Sequence, residues 1–253
     1  MVDKALFLNM TSAKDIMQAT NRIANNLANA NTPGFKEDLR EVKTQQLTNQ
    51  NNAFVFEDDI AQNQKANSSI RFSQGPIVNT GRALDVAISG EGFFAVQNQQ
   101  GIEAYTRTGN LQINQDGFLT TTKGDFLLGE NGLINVGEAD QVSINKQGLV
   151  SAKIRGESDT EIADLGRIKV VKPALAALNK GQDGLFYLSD GELAQASLDV
   201  QLVSESLEGS NVEPVRALVD LIDMSRQFEY QTKIMQNLEK NEKTANHLYD
   251  VTS

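Results

Sequence analysis

ANNLANANTPGF, residues 24–35, closes one element and turns the chain into the next, and the fold is read outward from it. Pro33 disfavours helical geometry at Thr32, and Gly34 tolerates positive φ. The run Asn31-Thr32-Pro33-Gly34 therefore predicts the end of a helix in a turn. Upstream, Leu6, Met10, Ala13, Met17, Thr20, Ala24, Leu27 and Asn31 follow one another at alternating steps of four and three, the spacing of a coiled-coil seam. Ile16 and Ile23 widen that stripe. Asp3 is placed to cap the first turn, and neither Gly nor Pro occurs from Lys4 to Ala30, which predicts one helix of about 28 residues. An ordinary helix C-terminus would carry the same stop. The amides add something: Asn21, Asn25 and Asn29 recur on one face, where Lys and Glu would serve a solvated surface, and their paired donors and acceptors suit bonding to another chain.

A second heptad pattern closes the chain. After Ser210-Asn211-Val212-Glu213-Pro214, read as a cap, an acidic first turn and a proline tolerated there, Leu221, Met224, Phe228, Gln231, Met235, Leu238, Glu242, Ala245 and Tyr249 alternate by three and four. Two heptad helices at opposite ends of one chain most simply pair with each other as a coiled coil. Polar Thr20, Asn31, Gln231 and Glu242 in the seams weaken packing but fix register. Such a hairpin leaves Ile16, Ile23, Ile222 and Phe228 on other faces, which points to helices of further chains; packing on the chain's own β region is the plainer alternative.

Between the helices the texture is β. Short apolar runs punctuated by glycine extend from 69 to 136, with reversals expected at Gly101, Gly117, Gly124 and Gly132. A second block, 141–188, continues that sheet or forms a module of its own, and residues 196–205 read as a strand leading outward. Residues 36–70 are rich in Gln and Asn around one apolar island, Phe54-Val55-Phe56, and read as an extended strap to a neighbour or as a solvated loop. The fold class expected is α+β: a helix and motif over 1–35, a linker over 36–69, a β-rich domain of glycine-punctuated hairpins over 70–207, and a helix over 208–253.

Composition excludes several functions. A net charge of −10 without clustered Lys and Arg argues against nucleic acid or an anionic membrane as partner. With no Cys and a single His, His247, no thiol nucleophile, cysteine metal site or Ser-His-Asp set can be built, and no cofactor is expected. No apolar run is long enough to span a membrane, and residues 1–31 lack the pattern of a cleaved secretory signal. An enzyme would have to use carboxylates such as Glu91, Asp116 and Asp125 as a glycosidase does, but they are scattered at turns and there is no Trp for a sugar platform.

Three stretches carry a resemblance. ANNLANANTPGFK, then DVAISGEGFFAV with YTRTGNLQINQDGFLTTTKGDFLLG, then LEGSNVEPVRALVDLIDMSRQFEYQTKIMQ are similar to the signature blocks of bacterial flagellar basal-body rod and hook proteins, in the same order and over more than half the chain. The length and the opening MVDKALFLNMTSAKDIMQ resemble proximal-rod members most, ahead of distal-rod and hook members. The resemblance implies a structural subunit with no enzymatic activity, exported through the flagellar type III apparatus without a cleaved signal. It implies a place in the periplasmic part of the basal body, in a helical homo-oligomer that also contacts other rod proteins and transmits torque. It further implies that Leu6, Met10, Ala13, Met17, Ala24 and Leu27 of the first helix, and Leu221, Met224, Phe228, Met235, Leu238, Ala245 and Tyr249 of the last, pack between helices. Asn21, Asn25, Asn26, Asn29, Pro33, Gly34 and Phe35 are the amide face and rod motif. A secreted binding module or a cell-wall glycosidase is the alternative of a different class.

Overall fold

The computed structural model describes residues 2–40, 68–137, 139–154, 162–189, 191–197 and 199–251, with the side chains of 2–8, 40, 68, 140, 154, 162, 238–239 and 241–251 outside that description. Two compact units are built from interleaved segments: a helical unit of residues 1–29, 37–71 and 212–253, and a β unit of residues 30–36 and 72–211.

The helical unit contains α1 (Val2–Ala28), β1 (Asp38–Arg40), β2 (Ser68–Ile70) and α2 (Pro214–Val251). α1 stops at the predicted turn: the Asn29 N–H donates back to Asn25 O at 3.1 Å, and the chain then reaches Pro33 and Gly34. Its start differs from expectation. The helix begins at Val2, so the Asp3 backbone lies within the first turn and not ahead of it. α2 begins on Pro214, whose missing N–H costs nothing at that position, and the Glu213 carbonyl accepts the Ala217 N–H at 3.0 Å. Glu213 therefore precedes the helix, and no acidic first turn forms. The helices meet through a polar pair, the Gln231 Nε2 donating to Asn9 Oδ1 at 2.5 Å and to Asn9 O at 3.1 Å.

β1 and β2 pair antiparallel, with Asp38 opposite Ile70 and Arg40 opposite Ser68. Below that ribbon the Arg71 N–H donates to Glu37 O at 2.9 Å and the two side chains form an ion pair at 2.9 Å. The Gln- and Asn-rich segment thus leaves and returns side by side, while Phe54, Val55 and Phe56 lie outside the described residues.

The β unit holds β3 (Ile77–Asn79), β4 (Val86–Ser89), β5 (Phe93–Gln97), β6 (Glu103–Thr106), β7 (Leu111–Ile113), β8 (Leu119–Thr121), β9 (Phe126–Gly129) and β10 (Gly132–Leu133). It continues with β11 (Ala139–Ile144), β12 (Leu149–Ile154), β13 (Ile162–Arg167), β14 (Val170–Val171), β15 (Leu178–Lys180), β16 (Phe186–Leu188), β17 (Gln201–Ser204) and β18 (Ser206–Glu208). The main sheet runs β15-β16-β6-β5-β9-β8-β7, with β10 beside β9 and β14 beside β5.

β5 shows why the sheet is central. Its residues alternate faces, as any strand must. Phe94 and Val96 enter the main core with Leu111, Leu119 and Leu127, while Phe93 stacks on the opposite side with Phe72 and Phe186 at ring separations of 5.8 and 5.5 Å. A strand covered on both faces reads as the continuous apolar run FFAV.

The second β block is divided between two sheets. β11, β12 and β13 form their own sheet, yet Val142, Ile144, Val150 and Ala152 join the same core, and β14 to β16 extend the main sheet. The strand expected over 196–205 is confined to 201–204 and does not lead outward. β17 pairs with β4, then Glu205, at φ +54°, redirects the chain into β18 against β3. Among the described residues no helix is long and apolar enough to cross a membrane.

Candidate assembly interface

The helical unit covers one stripe of each helix and leaves others open. On α2 Leu221, Met224, Gln231 and Met235 are half-buried in the register expected, with Ala217 buried above them and Thr232 half-buried beside Gln231. Phe228, in the same register, stays 44 % exposed. On α1 the covered stripe is rotated from the expected seam. Asn9, Ala13, Ile16, Thr20, Ile23 and Leu27 are half-buried, while Met10 and Met17 are 56 % and 60 % exposed and Ala24 is exposed. Both stripes have heptad spacing and share Ala13, Thr20 and Leu27, so the steps of four and three alone do not choose between them. The structure takes the β-branched isoleucines inward and leaves the flexible, unbranched methionines out. Leu6, Leu238, Ala245 and Tyr249 have side chains outside the described residues, as does His247.

α2 carries a second apolar stripe. Val215, Leu218, Val219 and Ile222, at helical spacing, are 46–79 % exposed, and Tyr230 and Ile234 are also open to solvent. A helix that is apolar on more than one face is a helix with more than one packing partner.

The amide face divides by role. Asn21 and Asn25 are exposed, and the Asn29 Nδ2 donates to Asn25 O at 2.9 Å. Asn26 is buried: its Nδ2 donates to Asp38 O at 2.9 Å and its Oδ1 accepts the Asp38 N–H at 3.0 Å, so the carboxamide stands where a strand partner would and ties β1 to α1. Asn26→Ala removes both bonds and is expected to destabilise the helical unit by about 2 kcal/mol, at about 1 kcal/mol per bond. Faster amide exchange at Asp38 in assembled rods, with unchanged exchange in β5, is the check.

The rest of the motif folds into the β unit. Gly34, at φ +72°, donates its N–H to Glu208 O at 2.8 Å, and a Cβ there would meet Arg107 C and Thr108 N at 2.5 Å. The Thr108 hydroxyl donates to Pro33 O at 3.3 Å, and the Lys180 ammonium lies 4.3 Å from the centre of the Phe35 ring. Lys36 follows, with a side chain that is fully buried.

Its ammonium donates to Glu208 Oε1 at 2.6 Å and to Ser73 O at 2.8 Å. The same Oε1 accepts the Gly75 N–H at 3.0 Å, and the other oxygen accepts from Arg107 Nη1 at 2.9 Å. Arg107 also donates to Gly90 O at 2.7 Å and lies 5.3 Å from the centre of the Phe93 ring. One buried carboxylate thus holds two buried cations, and backbone carbonyls and a ring face take up the charge left over. Burial holds the Lys36 ammonium below the ordinary lysine range, against the pull of Glu208, and lowers Arg107 in the same way. Sequence reading missed this triad, since 172 residues separate Lys36 from Glu208 and 101 separate Arg107 from Glu208. The available signal was charge in the wrong company: Glu208 in LEGS and Arg107 in YTRTG stand among apolar, small and glycine neighbours.

The carboxylates considered for hydrolysis serve the fold. Glu91 is paired with Lys172 at 2.8 Å and held below its usual range by that partner, the reverse of what a general acid needs. Asp125 is buried and accepts from the Thr121 hydroxyl at 3.1 Å, and the Asp116 N–H closes a turn on Asn114.

Comparison with known proteins decides what these features belong to. Three family models match in chain order: "Flagella basal body rod protein" over residues 11–36, "Flagellar hook protein FlgE/F/G D1 domain" over 87–152, and "Flagellar basal body rod FlgEFG protein C-terminal" over 203–248. The flagellar basal-body rod protein FlgF of Salmonella typhimurium is 34 % identical over 99 % of this chain and 100 % of its own length. The chain belongs to the flagellar basal-body rod proteins. The FlgF proteins of Escherichia coli and Caulobacter vibrioides are each 34 % identical, over 99 % and 93 % of the chain. The rod protein is a structural component of the flagellar basal body, and its relatives are rod proteins, not enzymes. The motif residues 24–36 fall within the first matched model, Arg107 within the second and Glu208 within the third.

Proposed function

We propose that this rod protein is a subunit of the proximal rod, polymerising helically so that α1 and α2 pair as a coiled coil and pack against the same helices of neighbouring copies. The observation that carries this reading is the open apolar surface on both helices, Met10 and Met17 on α1 and the stripe from Val215 to Ile222 on α2, in a chain that belongs to a rod family. The assignment to the proximal rod rests on relatives: those named FlgF align over up to the whole chain, whereas the one named FlgG from Agrobacterium fabrum aligns over 84 % of it. Division of labour is assigned to the expected boundaries: 1–35 and 208–253 supply the axial helices, 36–69 a strap to neighbours and 70–207 the β-rich domain. The subunit reaches the periplasm through the flagellar type III apparatus without a cleaved signal, and the amides of Asn21, Asn25 and Asn29 bond to adjacent subunits. Torque then passes through packed helices, with no chemistry required.

The double substitution Val219→Asp, Ile222→Asp tests this directly. Cells carrying it should not swim and should lack rods by electron microscopy, while the purified variant keeps the wild-type melting of its β unit. Normal rods from this variant would remove the proposal's support.

In dilute solution the helices lack their neighbours, and a heptad stripe left in water makes helix formation marginal. Amides from Met10 to Leu27 are therefore expected to exchange rapidly in the free subunit and slowly in assembled rods. Strong protection in the monomer would contradict this.

A further inference from the structure

The Lys36–Glu208–Arg107 triad has a built-in asymmetry, because its one carboxylate and its two cations come from three separate segments. We propose that the triad sets the order in which the two ends of the β unit dock, residues 206–211 first and residues 30–36 second.

Charge favours this order. With 206–211 in place and 30–36 absent, Glu208 and Arg107 form a neutral pair at 2.9 Å and Glu208 keeps the Gly75 N–H. With 30–36 in place and 206–211 absent, Lys36 and Arg107 are two like charges with no carboxylate, since Glu208 is the only one bonded to either among the described residues. An uncompensated buried cation is among the costliest states a protein interior meets, so this second intermediate is disfavoured.

Backbone pairing points the same way. Residues 206–208 are held by β3, with Ser206 opposite Asn79 and Glu208 opposite Ile77, and the Gly209 N–H donates to Pro76 O at 2.8 Å. None of these bonds involves residues 30–36. The motif, in contrast, leans on its partner: the Gly34 N–H donates to Glu208 O, and Phe35 O accepts the Asn211 N–H at 3.4 Å. From the rest of the unit it receives the Thr108 hydroxyl at Pro33, the Lys180 contact at Phe35 and the Ser73 carbonyl at Lys36. The fold can therefore release the motif and keep β18, but not the reverse.

Hydrogen exchange on the full chain tests the order, read at the Gly34 and Gly209 amides, with Ala95 and Leu119 reporting the core. In the native protein Gly34 should exchange at least about tenfold faster than Gly209, through an opening that leaves the core closed. Glu208→Gln should speed Gly34 by at least about another tenfold, with Ala95 and Leu119 still exchanging more slowly than Gly34. Lys36→Met, which leaves the neutral pair intact, should not change Gly209. If Glu208→Gln loses core protection altogether, the native order and Lys36→Met decide. Gly209 opening with or before Gly34, or release of 206–211 by Lys36→Met, would overturn the proposal.

Discussion

Replacing Glu208 by Gln is expected to destabilise the β unit by about 3–5 kcal/mol, the usual cost of removing one partner from a buried ion pair. The size comes from what stays behind. Lys36 and Arg107 have side chains 0 % and 3 % exposed, and the substitution leaves both charged with an amide between them. Lys36→Met should be close to neutral, because it keeps the Arg107–Glu208 pair and fills the space of the aliphatic stem. Urea unfolding followed at the β unit distinguishes them by midpoint. Equal losses in the two variants would mean that the charge balance described here is wrong and that the site is held by packing alone.

Gly34→Ala is the second large effect, and Gly81 is its control. The two glycines sit at φ +72° and +71°, so an alanine at either position carries the same left-handed penalty of about 1–2 kcal/mol. Their surroundings differ. An added Cβ at Gly81 meets nothing within 4 Å, whereas at Gly34 it meets Arg107 and Thr108 backbone at 2.5 Å. Backbone on a central strand's flank cannot move aside as a side chain end can, so Gly34→Ala should expel residues 30–36 and abolish swimming. Gly81→Ala should leave the cells motile and lower stability only by the conformational cost. Comparable melting of the two variants would show that the motif yields to a methyl group.

The contrast between those glycines also marks how far sequence could be read. Local rules were reliable where the cause is local. Pro33 and Gly34 end α1, glycines occupy the hairpin reversals, and the apolar runs from Phe93 to Leu127 form the sheet, because each depends on a few adjacent residues. The failures have a common origin in tertiary choice. Heptad spacing on α1 admits two stripes that share Ala13, Thr20 and Leu27, and packing selects the one containing Ile16 and Ile23. Asp3 and Glu213 lie one or two residues from the positions assigned to them, since a helix end shifts at little cost. Residues 196–205 alternate as a strand should, but nothing in them reveals the φ of +54° at Glu205 that folds β17 and β18 back onto β4 and β3.

The least legible feature is the one on which the motif depends. Phe35-Lys36 looks like a turn followed by a solvated lysine, and only the fold brings Glu208 and Arg107 to it. Asn26 is similar: it looks like one more amide on a polar face, yet its carboxamide completes the edge of β1. Both cases place polar groups where no water reaches them, and the partner that makes this tolerable is distant in the chain or lies beyond a turn.

The central claim is that the open faces of α1 and α2 are covered by other copies in the rod. Photoreactive residues at Met17 and Phe228, crosslinked in isolated basal bodies, test it most directly. Crosslinks are expected from both positions to copies of the same chain and to other rod proteins. Crosslinks confined within one chain, or absence of the protein from the basal bodies, would contradict it.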